Sequence, residues 1–141
     1  MLQLSAVAQI HITMVMRAVD TNALVRLITR DDMKQVAAAE AFVEKGAWVS
    51  HLALVEATSV LSAVYDLGPP AIAIAIEMLL NHKHLSLEES QVVSNALEMF
   101  RRRPALGFSD CLMLEVARKA GHLPLGTFDR NLAKLEGAER L

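Results

Sequence analysis

Four acidic side chains are the residues best able to do chemistry in this 141-residue chain: Asp20, Glu56, Asp110 and Asp129. Glu56 is the least ordinary of them. In HLALVEATSVLSAVY, residues 51–65, it is the sole formal charge from Leu52 to Tyr65, and no Lys or Arg lies within a helical turn. A lone carboxylate on a mostly apolar helix is expected to be partly desolvated and to need a compensating partner. It lies too far into that helix to be a cap, and its competing reading is a surface glutamate. The other three have competing readings too: an N-cap for Asp20, and first-turn or pre-helix acids favoured by the helix dipole for Asp110 and Asp129.

The elements that must position these acids follow from the punctuation of the chain. TMVMRAV, residues 13–19, is β-branched and apolar and stops at Asp20, after which Leu24, Leu27 and Ile28 recur at helical spacing. Asp31-Asp32 can cap a second helix with Val36, Ala39, Phe42 and Val43 on one face, and Gly46 stands where a left-handed residue is wanted. AWVS is a short strand. Ser50 is the expected N-cap of the helix bearing Glu56, which is expected to end at Gly68-Pro69-Pro70. AIAIAIEMLLNHK alternates like a strand at Ile72, Ile74 and Ile76, yet its flanking prolines and Met78, Leu79 and Leu80 predict a helix.

LSLEESQVVSNALEMFRRR is expected to place Glu88 and Glu89 in a first helical turn, Val92, Val93, Ala96, Leu97 and Phe100 inward, and three arginines at the end. SDCLMLEVARKAG reads as a helix capped by Ser109 and closed by Gly121. LPLGTF reads as the final short strand and RNLAKLEG as a last short helix. Short strands alternating with helices predict an α/β fold with a parallel sheet, whose ligands bind outside the carboxyl ends of the strands.

Asp20 ends the first strand and so belongs to that edge. From Asp110 the helix descends about 16 Å to Ala120 at ~1.5 Å per residue, and LPLGTF climbs back roughly 20 Å at ~3.3 Å per residue. Asp129 is therefore expected at the level of Asp110, at the same edge as Asp20. Four carboxylates there repel one another by about 3 kcal/mol per pair at ~5 Å and an effective dielectric near ~20. A cation makes the arrangement tolerable, and all-oxygen ligation selects a hard ion, Mg²⁺ or Mn²⁺. The histidines are scattered, His82 and His84 are too close for a helical pair, and no H-E-x-x-H is present.

Composition bounds the rest. The length fits one domain over residues 1–141, with residues 1–15 read as an extension ahead of Met16, and a 53% hydrophobic content supports a single core built with few aromatics. A net charge of −2 argues against a dedicated duplex-DNA binder and leaves room for a local basic patch. Cys111, the single cysteine, excludes an internal disulfide and a Cys-based zinc site and fits a reducing compartment, the cytoplasm; it reads as a small core residue. Ala6-Val7-Ala8 follows no basic residue and too short an apolar run for a signal peptide. PPAIAIAIEMLL is well short of the ~20 residues of a membrane helix. Arg101, Arg102 and Arg103 read as helix-end charges in preference to an RNA contact. There is no G-x-S-x-G, no glycine-rich phosphate loop and no cysteine with a catalytic partner.

AVDTNALVRLI, VEATSVL and FSDCLMLEVARKAGHLPLGTFDRNL, in that order and spacing, resemble the PIN-domain family, in particular VapC-type toxins of toxin–antitoxin pairs. The resemblance covers nearly everything after Met16. It implies a PIN-like three-layer α/β/α sandwich with a short, mainly parallel central sheet. It further implies a metal-dependent endoribonuclease in which Asp20, Glu56, Asp110 and Asp129 hold one or two Mg²⁺ or Mn²⁺ ions, with metal-activated water as nucleophile. Asn22 and Thr127 match positions that support the first and last aspartates by hydrogen bonding, and both also suit turns. An RNA substrate, a cognate antitoxin protein and a homodimer are implied as partners; the apolar faces Ile72–Leu80 and Val92–Phe100 read first as core, and helical surfaces of this general kind are what the resemblance implies for the dimer. The alternative is a non-catalytic PIN-like protein-binding module. A haloacid-dehalogenase-like phosphatase needs a second aspartate where Asn22 stands, and a receiver domain needs its acidic pair at the end of the first strand, whereas Asp31-Asp32 comes later.

Overall fold

The structure, a computed structural model, describes residues 15–141. The extension expected over 1–15, Val15 apart, and the first two residues of the strand expected over 13–19 lie outside the described residues. The elements run β1 (Arg17–Ala18), α1 (Thr21–Thr29), α2 (Met33–Val43), β2 (Ala47–Val49), α3 (His51–Ala63), α4 (Pro69–Asn81), β3 (Leu85–Leu87), α5 (Ser90–Arg102), α6 (Phe108–Ala120), β4 (Leu125–Thr127) and β5 (Ala138–Arg140). Single 3-10 turns occupy Pro104–Leu106 and Leu132–Lys134.

β1, β2 and β3 form a parallel sheet in that order, and β4 pairs with β5, again in parallel. Parallel neighbours need crossover connections, which the helices supply. The α/β class expected from the chain, helices about a short parallel sheet, is what the structure has. In β2, Ala47 and Val49 are buried and Trp48 between them is exposed, so one face of the middle strand enters the core. That core joins Leu24 and Val25 of α1, Leu54 of α3, Ile76 of α4, Val93 of α5 and Leu114 of α6.

The ambiguous AIAIAI segment is helical because the helix buries Ile72 and Ile76 together and leaves Ile74 outside, a spacing of four. α3 starts at the expected cap, with Ser50 Oγ accepting from the Ala53 amide at 3.0 Å, and ends at Ala63, short of the expected boundary. Gly121 closes α6 at φ 82°, a left-handed conformation that glycine adopts without strain.

Several local expectations are corrected. LSL, taken as the approach to a helix, is strand β3: the Glu88 amide extends its ladder by donating to the Val49 carbonyl at 2.8 Å. Glu88 is consequently not in the first turn of α5. Its Oε1 accepts from the His51 amide at 2.8 Å, so the anion sits at the N-terminus of α3, where the dipole favours it. α5 begins at Ser90 behind Glu89, whose φ is 42°. Ser109 caps nothing, because α6 starts at Phe108 behind Gly107, at φ 77°. Finally, RNLAKLEG makes only a 3-10 turn, and LPLGTF is not the last strand: Ala138–Arg140 returns beside β4, with Thr127 opposite Arg140.

Candidate metal centre

Asp20 follows β1 and is the N-cap of α1; its Oδ1 accepts from the Ala23 amide at 2.9 Å. The capping role uses one oxygen. Among the described residues Oδ2 has no hydrogen-bond partner, so capping and cation binding are compatible in one side chain. Asp129 is built the same way after β4. Its Oδ1 accepts from the amides of Asn131 at 2.8 Å and Leu132 at 2.9 Å, and its own amide donates to Thr127 Oγ1 at 3.0 Å. Thr127 thus steadies the aspartate through the backbone.

Glu56 is exposed, which corrects the expectation of a partly desolvated acid. α3 presents Leu52 and Glu56 on its outer side and turns Ala53, Leu54, Ala57, Thr58 and Leu61 inward. The partner the chain supplies is a hydroxyl: Thr21 Oγ1 donates to Glu56 Oε2 at 2.8 Å. Thr21 directly follows Asp20, so this bond ties the middle of α3 to the residue after the first strand-end acid. Nothing in the sequence singles out Thr21. At the first position of a helix a threonine looks like an ordinary start residue, and only the docking of α1 on α3 reveals what it holds. Asn22 is exposed and forms no hydrogen bond to Asp20 among those described.

Asp110 lies in the first turn of α6. Partial burial, and then the charge of Asp129, push its carboxyl above the usual aspartate range. The four acids therefore fall into an Asp20–Glu56 pair joined through Thr21 and an Asp110–Asp129 pair that repel each other. Among the described residues no three His, Cys, Asp or Glu side chains stand close enough together to hold an ion between them. None of the four has a cationic side chain within ion-pair distance among those described either.

The donor chemistry fits a hard divalent cation. Mg²⁺ keeps several of its waters and is commonly held by one or two carboxylates, a number that the Asp110–Asp129 pair matches. Other candidate groups are already occupied. Cys111 is fully buried and its thiol is pushed up to about 11 by desolvation, so it is no nucleophile. His82 donates no cluster; its ring nitrogen Nδ1 accepts from the His84 amide at 3.1 Å. Arg101 pairs with Glu77 and Arg102 with Glu98, as expected of helix-end charges.

Compared with known protein families, the chain matches the PIN domain over residues 17–138, a span that contains all four acids and every element except the last residues of β5. No curated protein and no solved structure matches it.

Proposed function

The chain belongs to the PIN domain family, whose members are typically metal-dependent nucleases, and we propose that it is an endoribonuclease acting as the toxin of a type II toxin–antitoxin pair. The observation that carries the reading is the set of four carboxylates at element ends or tethered to one, with no cationic side chain neutralising any of them among the described residues. In this reading Asp110 and Asp129 hold a Mg²⁺ or Mn²⁺ ion and Asp20 and Glu56 complete the acidic rim. A cation bound there supplies Lewis-acid stabilisation of a phosphodiester and a water of lowered pKa for in-line attack.

The chain's own residues do the positioning. The Thr21 hydroxyl fixes the Glu56 carboxylate, and the Asn131 and Leu132 amides fix one oxygen of Asp129 so that the other is aimed by a rigid turn. Asp20 and Asp129 are exposed, which gives a polymer access to them. The antitoxin covers the acidic rim with a basic side chain, since unneutralised carboxylates are receptors for a guanidinium. Exposed Ile74 and Met78 on α4 supply apolar surface for a homodimer.

Incubation with total RNA in Mg²⁺ or Mn²⁺ tests the reading. Cleavage is expected, with loss in EDTA and in Asp110→Asn. Cleavage that persists in EDTA removes the metal mechanism. A folded, metal-loaded protein that cuts no RNA leaves the non-catalytic binding module in its place.

A further inference from the structure

Aromatic rings are scarce in this chain, 4% of its residues, and the fold employs nearly all of them. Phe100 packs edge-on against Phe108, Phe42 lies under the Arg17 guanidinium, and the Tyr65 hydroxyl bonds Asp31. Trp48 is 38% exposed on β2. Phe128 is the exception at 80% exposed. It stands between Thr127 and Asp129, where the backbone is pinned on both sides. The Leu141 amide donates to the Thr127 carbonyl at 2.9 Å, the Asp129 amide donates to Thr127 Oγ1, and Asp129 Oδ1 receives two amides. A large apolar ring is thus held out into solvent by a rigid turn, next to a candidate catalytic acid.

Its charged surroundings point to the partner. Arg130 follows Asp129, and Arg140 is the strand partner of Thr127, about one strand spacing, ~4.8 Å, away in the backbone. Both are exposed, and neither forms an ion pair among the described residues, whereas Arg101 and Arg102 are each taken by a glutamate. An exposed ring with unneutralised guanidinium groups two residues on and on the paired strand suits single-stranded nucleic acid: the ring stacks on a base, and the cations are free to meet backbone phosphates.

We infer that Phe128 is the stacking platform for an unpaired base of the RNA substrate, with Arg130 and Arg140 on the flanking phosphates, so that the strand is delivered to Asp129 single-stranded. This rests on the ribonuclease reading. A duplex hides its base faces and cannot use the ring, so the platform selects unpaired RNA.

The test uses the full chain carrying Asp110→Asn, so that bound RNA stays intact. The probes are single-stranded oligoribonucleotides with a fluorescent adenine analogue, quenched on stacking, at a different position in each. Quenching at one position is expected, and adding Phe128→Ala should abolish it and raise Kd about five- to a hundredfold. Phe128→Trp should restore both and Phe128→Leu should not, while melting temperatures stay level because the ring is exposed. Arg130→Ala should weaken binding without moving the quenched position. Unchanged quenching and Kd in the Phe128→Ala protein overturn the platform. So does a Phe128→Ala protein that binds and cuts RNA normally but no longer binds its protein partner. If the Asp110-intact chain cuts RNA and Phe128→Ala cuts it with the same kcat/KM, the platform falls and the nuclease stands. If the intact chain neither binds nor cuts RNA, the nuclease reading falls and takes the platform with it.

Discussion

Asp31 and Asp110 carry the same side chain into opposite surroundings. Asp31, at the α1–α2 junction, receives the Tyr65 hydroxyl at 2.7 Å and the Thr29 hydroxyl at 2.9 Å, and pairs with Arg26 at 3.2 Å. Those contacts hold its carboxyl below the usual aspartate range, the Tyr65 bond foremost. Arg26 in turn reaches the Tyr65 oxygen at 2.9 Å and the Gln35 side chain, so the network staples α1, α2 and the segment after α3. Asp110 has no such cation, and its carboxyl is pushed upward by burial and by Asp129. A carboxylate neutralised inside the chain serves the fold. One left facing another acid is available to something outside it.

The comparison predicts mirrored mutants. The largest effect is on catalysis: Asp110→Asn is expected to lower RNA cleavage about a hundredfold or more, the several kcal/mol of transition-state stabilisation that metal chemistry supplies. Asp31→Asn should leave kcat/KM unchanged at temperatures where it is folded. Equal losses in single-turnover assays would dissolve the distinction.

Metal binding comes next. Added Mn²⁺ at about a hundred times its dissociation constant should stabilise the wild type by ~2.7 kcal/mol in thermal melts. The increment should survive Tyr65→Phe and vanish in Asp110→Asn. Tyr65→Phe itself should cost about 1 kcal/mol of stability, the net worth of a hydrogen bond. Urea denaturation measures that loss, with RNA cleavage unaltered.

The pH dependence separates the two acids by sign. Asp31, with its folded value depressed, contributes stability that is fully present above the ordinary aspartate value of 3.8 and is lost as pH falls through the folded value. Asp110, with its folded value raised, imposes a penalty that accrues as pH rises from 3.8 through the folded value and is full above it. In metal-free melts against pH, Asp110→Asn should therefore be the more stable protein at neutral pH, and its advantage should close on acidification. Asp31→Asn should show its deficit at neutral pH and lose it only in stronger acid. The smallest effect is that of Glu56→Gln, which removes an exposed charge and should change metal-free stability by no more than about 0.5 kcal/mol.

What could be read in advance was whatever the chain encodes locally. The Pro-flanked α4, the Ser50 cap and the Gly121 stop are set by residues within a few positions of them, and the structure has all three. β3 and β5 were missed because LSL and AER are too short to carry an alternation, and each becomes a strand only by pairing with a neighbour distant in sequence. Asp20, Asp110 and Asp129 were legible from their places at element ends, and Glu56 from being the lone charge of its helix. The surroundings of Glu56 were not, because an apolar helix composition says nothing of which side faces water, and the Thr21 hydroxyl comes from 35 positions away.

The burial of Cys111 has a practical consequence. At neutral pH a thiol pushed up to about 11 offers about two orders of magnitude less thiolate than an ordinary exposed cysteine, and no exposed surface from which to react. The chain is thus a ready-made silent background for covalent labelling. A cysteine introduced at exposed Ser59 would take up a maleimide dye or spin label alone, with the native thiol left in place.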